Sequence, residues 1–379
     1  MKKLLVFLFM LGLSVSLFGQ VTFILKSTPD NTPRNSKFYL AGTINDWQPN
    51  LPDFEFTEDK FGSLSLTIET VPDTFEYKIC RGDWTSVEVD SAGRDIINRM
   101  YVDSIGTMVM LNVHNWRDRM NPKQLVSTAS KNVFFTPTSI EIPQLDRRRT
   151  VRVYFPPNYS SRQGFPVVYL LDGQNVFDKS TAFADEWKVD EVMDSLFQQR
   201  GLSCIVIAVY HGEEQRINEY TPWENDKKEG GDGEKFAKFI VKDLKPYIDK
   251  YYRVIPDREN TTIIGSSMGG LMALYLALEY PKIFGKVAVF SPTLSWSPDI
   301  FTKIEKFKKR NFQKIYMYAG MKEDSTMVRN IRQADQLLKD VGFSENELIL
   351  NLEPYGRNSE IYWGHEYTKA ISWFFNFKP

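Results

Sequence analysis

With 379 residues, the chain is longer than one ordinary domain needs and has room for two. Hydrophobic residues make up 42% of it, enough apolar material for a large buried core. Lys+Arg 47 against Asp+Glu 48 leaves a formal net charge of -1, so the basic excess of a nucleic-acid binder is absent and no nucleic-acid partner is expected.

The first residues carry a compartment signal. Lys2 and Lys3 precede an apolar run from Leu4 to Leu17, and the small Gly19 comes just before Gln20. This is the pattern of a secretory signal peptide over residues 1–19, which places the mature protein outside the cytoplasm, in the periplasm or secreted. The run is short for a spanning helix, no cysteine stands near the cleavage point for a lipid anchor, and no membrane span is expected in the mature form.

Residues 20–118 read as short strands separated by turns. Val21 to Leu25, Lys37 to Ala41, Ser63 to Ile68, Thr74 to Ile79 and Met108 to Val113 each suit a strand. Turn signals between them include Pro29-Asp30-Asn31, Asp59-Lys60-Phe61-Gly62 and Ser91-Ala92-Gly93. The spacing predicts a small immunoglobulin-like β-sandwich. A polar, irregular linker is expected over 119–133. Cys80 and Cys204 fall on either side of it, so no disulfide between them is expected.

From 134 to 379 strands alternate with helices. Val151 to Phe155, Val167 to Leu171, Cys204 to Tyr210, Thr261 to Ile264, Val287 to Phe290, Ile315 to Tyr318 and Glu347 to Leu352 are the expected strands. Helices are expected over Val189 to Arg200, Phe236 to Tyr252, Gly270 to Tyr280 and Tyr367 to Phe375. The triplet Arg147, Arg148, Arg149 reads as a solvated strand edge. The alternation implies an α/β fold with a doubly wound, mostly parallel sheet.

Chemistry concentrates at Gly265-Ser266-Ser267-Met268-Gly269, set between a buried strand and a helix. G-x-S-x-G in that context is a nucleophile elbow: the tight turn needs glycine at its ends and lifts the Ser267 hydroxyl over the sheet edge. The Met268 N–H then points at a developing oxyanion from the helix N-terminus. A second oxyanion donor is expected from the Gln174 N–H, where the strand Val168 to Leu171 breaks at Asp172-Gly173.

A serine nucleophile needs a base, and the chain has three histidines. His114 lies in the strand-rich part. His211 precedes the serine, whereas His365 follows it, on a segment expected to be a loop entering the last helix. The chain order serine, acid, histidine selects His365. The acid is expected just after the strand ending at Gly320, as Glu323 or, alternatively, Asp324. The chemistry requires no metal and no organic cofactor.

These stretches resemble the putative-esterase (esterase D-like, feruloyl-esterase-like) family of α/β hydrolases. The matching residues are Val151 to Tyr154 with Pro156-Pro157, Tyr169 to Phe177, Arg216 to Tyr220, Gly265 to Gly270 and Gly364-His365. The resemblance implies a triad of Ser267, Glu323 and His365. One departure is Asp172-Gly173, where many members carry His-Gly. Ala41-Gly42-Thr43-Ile44-Asn45-Asp46-Trp47, Tyr77-Lys78 and Gly82-Asp83-Trp84 resemble starch- or glycogen-binding β-sandwiches, which implies sugar contacts at Trp47, Lys78 and Trp84.

The expected function is exported carboxylic-ester hydrolysis through an acyl-enzyme, removing feruloyl or acetyl groups from a carbohydrate, with the first domain holding a glucan or other polysaccharide. Two alternatives stand beside it. One is a siderophore-lactone esterase or acyltransferase using the same triad; the other is a glycan-binding protein with an inert hydrolase domain.

Overall fold

The computed structural model describes residues 20–376 apart from 59–61, 91, 92, 94, 95, 97, 103–106, 121–125, 184 and 228. The expected signal peptide, residues 1–19, lies outside the described residues, as do most of the turn positions expected at 59–62 and 91–93. The chain divides into two compact units, one from the described residues of 1–91 and 98–119 and the other from those of 92–97 and 120–379.

The first unit is built of strands. They are β1 (Val21–Ser27), β2 (Phe38–Gly42), β3 (Glu55–Glu58), β4 (Leu64–Ile68), β5 (Thr74–Cys80), β6 (Glu88–Val89), β7 (Arg99–Val102), β8 (Met108–Asn112) and β9 (Asn115–Trp116). Seven run in the order β7-β5-β2-β3-β4-β1-β8, and β6 pairs with β9. The short β3 pairs with β2 through Phe38↔Phe56 and with β4 through Thr57↔Ser65, joining two halves of the sheet. Alternation along β1 turns Val21, Phe23 and Leu25 inward. Phe23 meets Phe75 and Tyr77 of β5 edge-on at 6.1 and 5.2 Å, so strands far apart in sheet order share one core.

The second unit holds an eight-stranded sheet in the order β10-β13-β15-β14-β16-β17-β18-β19. Its strands are β10 (Val133–Phe135), β13 (Val151–Tyr154), β14 (Val167–Leu170), β15 (Ile205–Val209), β16 (Thr261–Ser266), β17 (Lys286–Phe290), β18 (Lys314–Gly320) and β19 (Leu348–Glu353). A small ribbon, β11 (Ile140–Ile142) with β12 (Arg147–Arg149), stands apart from it. Strands β15 through β19 in sheet order are parallel, while β13 is antiparallel to both its neighbours. The central strands are buried on both faces, as their unbroken aliphatic runs require.

Helices cover the sheet: α1 (Val189–Arg200), α2 (Arg216–Tyr220), α3 (Gly233–Phe239), α4 (Lys245–Tyr251), α5 (Ser267–Glu279), α6 (Asp299–Glu305), α7 (Ser325–Asp340) and α8 (Glu360–Phe374). A π-turn, Ile240–Leu244, joins α3 to α4 where one helix was expected. In α5 every residue from Met268 to Leu278 is buried, the mark of a helix apolar all round and enclosed by its neighbours. Each large aliphatic side chain enclosed there contributes roughly 1.5–3 kcal/mol of burial.

Three expectations are corrected. The last helix starts at Glu360 rather than near Tyr367, which takes His365 off a loop and into helix. The later half of the expected linker is tied down. Ser127 donates to Asp178, Thr128 to Glu186 and Asn132 to Asp194, and the Ser130 N–H donates to Asp190 at 2.6 Å. Arg149 is also no solvated edge residue: it is 4% exposed and bonded to the fully buried Glu219. Arg147 joins the same carboxylate. Cys80 and Cys204 are free and buried in different units, and burial pushes both thiols up to about 12. Among the described residues no helix is long and apolar enough to cross a membrane.

Candidate active site

Strain marks one edge of the second unit's sheet. β15, β14, β16 and β17 are consecutive neighbours, and past their C-terminal ends stand Glu213, Asp172, Ser267 and Ser291 with φ of 53°, 57°, 51° and 42°. Non-glycine residues in the left-handed region cost about 1–3 kcal/mol each and persist only where the surroundings enforce them. Such residues collect at functional sites, and here they border the carboxyl ends of the strands, where open α/β sheets place their chemistry.

Ser267 is the first residue of α5, directly after β16. A Cβ on Gly265 would lie 2.1 Å from the Gly269 carbonyl oxygen, so only glycine lets strand and helix close this turn. A Cβ on Gly269 would reach 3.0 Å from Asp172 Oδ2, which puts the elbow against the loop after β14. Ser267 is half-buried. Its Oγ lies 3.2 Å from Thr293 Oγ1, and its carbonyl accepts from the Thr293 N–H at 3.1 Å. Met268 falls in the first turn of α5, where N–H groups have no partner within the helix.

The second expected oxyanion residue, Gln174, sits in a single 3₁₀ turn, Gly173–Asn175. Its side chain is 5% exposed and grips the loop after β15. Oε1 accepts from the His211 N–H at 3.0 Å, and Nε2 donates to the His211 carbonyl at 3.3 Å. Asp172, just before this turn, takes a two-pronged bond from Arg216, with Nε to Oδ1 at 2.6 Å and Nη2 to Oδ2 at 2.8 Å.

The two acid candidates separate cleanly. Asp324 accepts from the Thr326 and Met327 N–H groups and caps α7. Glu323 is 7% exposed and turned inward, where Oε1 accepts from Ser291 Oγ at 2.7 Å and from the Gly320 N–H at 2.6 Å. Ser291 Oγ in turn accepts from Trp363 Nε1 at 3.0 Å. Sequence reading missed both Ser291 and Trp363; the only local hint was a serine directly after a strand.

His365 does not join them. A helix turns about 100° per residue, and α8 buries Trp363, Gly364, Tyr367, Ala370, Ile371 and Phe374. His365 stands about opposite that stripe, in the exposed row Ile361, His365, Lys369 at i, i+4, i+8. Gly364 has a packing role, since a Cβ there would lie 2.4 Å from the Trp187 carbonyl oxygen. The chain-order argument therefore selected a histidine that the helix turns to solvent. His114 is exposed in the first unit. His211 is buried at the sheet edge, with Nδ1 accepting from the Glu213 N–H at 3.0 Å and its ring edge-on to Phe183. Burial pushes its imidazole down to about 4, and so does the Arg216 and Arg149 charge against an opposing pull from Asp172.

In the first unit, the Trp47 and Trp84 rings stand 6.0 Å apart at 44°, both half-buried. Lys78, the third expected sugar contact, is only 6% exposed, on the face of β5 that it shares with Cys80.

The sequence matches the family described as Putative esterase over residues 142–363. It is 28% identical over 241 residues to the uncharacterized protein YbbA of Bacillus subtilis, a match covering 60% of this chain and 92% of that protein. It is 26% identical over 212 residues to an endo-1,4-beta-xylanase/feruloyl esterase of Xylanibacter ruminicola, covering 54% of this chain and 26% of that one. In fold it is similar to the enterobactin esterase of Shigella flexneri, with a TM-score of 0.56 at 14% identity over 94% of this chain and 92% of that one. The elbow, the inward acid and the family match over more than half the chain together lead to one conclusion: the chain belongs to the Putative esterase family and is an ester hydrolase.

Proposed function

We propose that this chain is an exported serine hydrolase that removes acyl groups of the feruloyl or acetyl type from a carbohydrate. The observation that carries the reading is Ser267, held at φ 51° at the start of a helix buried from Met268 to Leu278. In this reading Ser267 Oγ attacks the ester carbonyl, and the N–H groups of Met268 and Gln174 receive the oxyanion. The Oγ proton passes to solvent, the alcohol departs with a proton from solvent, and water then releases the acyl group as the free acid. Glu323 lies beyond Ser291 as the acidic member of the site. Ser267→Ala should abolish hydrolysis of nitrophenyl acetate and of feruloylated oligosaccharides with the fold intact; undiminished turnover refutes the reading.

The carbohydrate half of the proposal draws on the relative named as a feruloyl esterase and on the first unit, read as a carbohydrate-binding β-sandwich around Phe23, Phe75 and Tyr77. The paired indoles of Trp47 and Trp84 supply faces for stacking on pyranose rings. A glycan array on the full chain and on its Trp84→Ala variant tests this. A siderophore lactone is the competing substrate, given the likeness to an enterobactin esterase. Faster turnover of an iron-chelating trilactone than of acylated sugars would select it. Export rests on Lys2, Lys3 and the run Leu4 to Leu17, and an N-terminus beginning at Gln20 in the recovered protein is its test.

One observation favours a second reading, a glycan-binding protein with an inert hydrolase unit: His365 stands in the exposed row of α8 and makes no bond to Ser267. Failure of a fluorophosphonate to label Ser267 under any condition would select that reading.

A further inference from the structure

We infer that the Ser267 hydroxyl works without a histidine base: Thr293 holds it, and the position a base needs, on the loop between β19 and α8, is filled by Arg357 and Asn358. The inference rests on Ser267 being the nucleophile.

Three observations converge. First, the hydroxyl's side-chain partner is Thr293 Oγ1 at 3.2 Å, and the adjoining backbone bond from the Thr293 N–H to the Ser267 carbonyl keeps that pairing in register. A threonine hydroxyl can orient the serine rotor, but its own proton leaves it no capacity to act as a base near neutral pH. Second, none of the three histidines is bonded to Ser267. His365 is in the outward row of α8, His114 is exposed, and His211 is buried with Nδ1 accepting from the Glu213 N–H and Nε2 bonded to nothing among the described residues, Ser267 included. The charged groups around the elbow include the Asp172–Arg216 pair, bonded to each other, Glu323, bonded to Ser291 and Gly320, Glu360, which accepts from Asn175, and Glu213, which accepts from Gln174.

Third, the segment after the last strand lies over the acid. The Met321 N–H donates to the Glu353 carbonyl at 2.9 Å, and the Lys322 N–H donates to the Gly356 carbonyl at 3.1 Å. A Cβ on Gly320 would sit 2.1 Å from Gly356 and 2.5 Å from the Arg357 nitrogen, so the two backbones touch. A base bridging acid and nucleophile belongs on this segment, in the chain order serine, acid, base. The half-buried side chains that follow Gly356 there are Arg357, Asn358 and Ser359, and of these Arg357 and Asn358 come directly after the glycine that touches Gly320.

The test is the rate at which a fluorophosphonate modifies Ser267 in the full chain between pH 6 and 9. In that step an Oγ–P bond forms, the P–F bond breaks, fluoride leaves, and the hydroxyl proton passes to hydroxide or buffer. Without a base the rate should climb about tenfold per pH unit with no plateau, and His365→Ala should label at the wild-type rate. Asn358→His or Arg357→His should introduce a plateau above about pH 6.5 and raise the rate at pH 7 by about 100-fold or more. A wild type that stays unlabelled across this range overturns the inference, because the hydroxyl then does not work unaided. The inference is overturned by a wild-type plateau near neutrality that His365→Ala or His211→Ala removes. It is also overturned if both folded histidine variants label no faster than wild type. Labelling that persists in Ser267→Ala instead sinks the nucleophile assignment, and so keeps the two failures apart.

Discussion

Arg216 binds Asp172 through two parallel bonds, Nε to Oδ1 at 2.6 Å and Nη2 to Oδ2 at 2.8 Å, and so ties the α2 segment to the loop after β14. The Asp172 side chain is 4% exposed and that of Arg216 20%. Breaking a pair this buried strands a charge at a cost of about 3 kcal/mol. Arg216→Ala should therefore lower the urea midpoint and cut kcat/KM for nitrophenyl acetate. Arg216→Lys should fall between it and wild type, because lysine keeps the charge and loses the fork. Equal midpoints for all three proteins would show that the pair does not hold this loop.

The left-handed Ser267 stores strain that glycine would not. Ser267→Gly should raise stability by about 1 kcal/mol while removing esterase activity. Ser267→Ala should remove activity without that gain, since alanine keeps the Cβ. Thermal unfolding of the three proteins checks the order, and a glycine variant less stable than alanine would contradict it.

Thr293→Val should slow fluorophosphonate modification of Ser267 several-fold, because the serine rotor loses its partner 3.2 Å away. Thr293→Ser should restore it. Both sites are half-buried, so stability should change by no more than about 1 kcal/mol. If valine labels as fast as threonine, the contact does not position the nucleophile.

His211 predicts a pH effect whose sign follows from burial. Its imidazole is held down at about 4 in the fold, against an unfolded value near 6.5, so below that value the unfolded chain binds the extra proton. The neutral ring's contribution is complete above pH 6.5 and is lost as pH falls through 4, a loss of about 3 kcal/mol. His211→Asn should flatten the stability profile between pH 6.5 and 4. A slope as steep as wild type in that variant would remove His211 as its source.

The elbow was legible because its code is local: glycines where no Cβ fits, one serine, and a strand and helix on either side. The same locality carried the central strands β14 to β18, whose apolar runs allow only burial on both faces. Signals weakened where strands were short and polar. The bridging strand β3, Glu-Phe-Thr-Glu, has a single buried residue, and the edge strand β7 has one as well.

The residue sequence by itself determined the nucleophile turn, the alternation of strands and helices, and a carboxylate pair after Gly320. Only the tertiary structure decided between Glu323 and Asp324, since one caps a helix and the other accepts from Ser291, a partner 32 positions away. It also placed His365, the histidine that chain order selects, in the exposed row of α8. Order along a chain is a one-dimensional property, whereas a base must point. Because α8 begins at Glu360, the helical turn that brings Trp363 to Ser291 carries His365 to the opposite face.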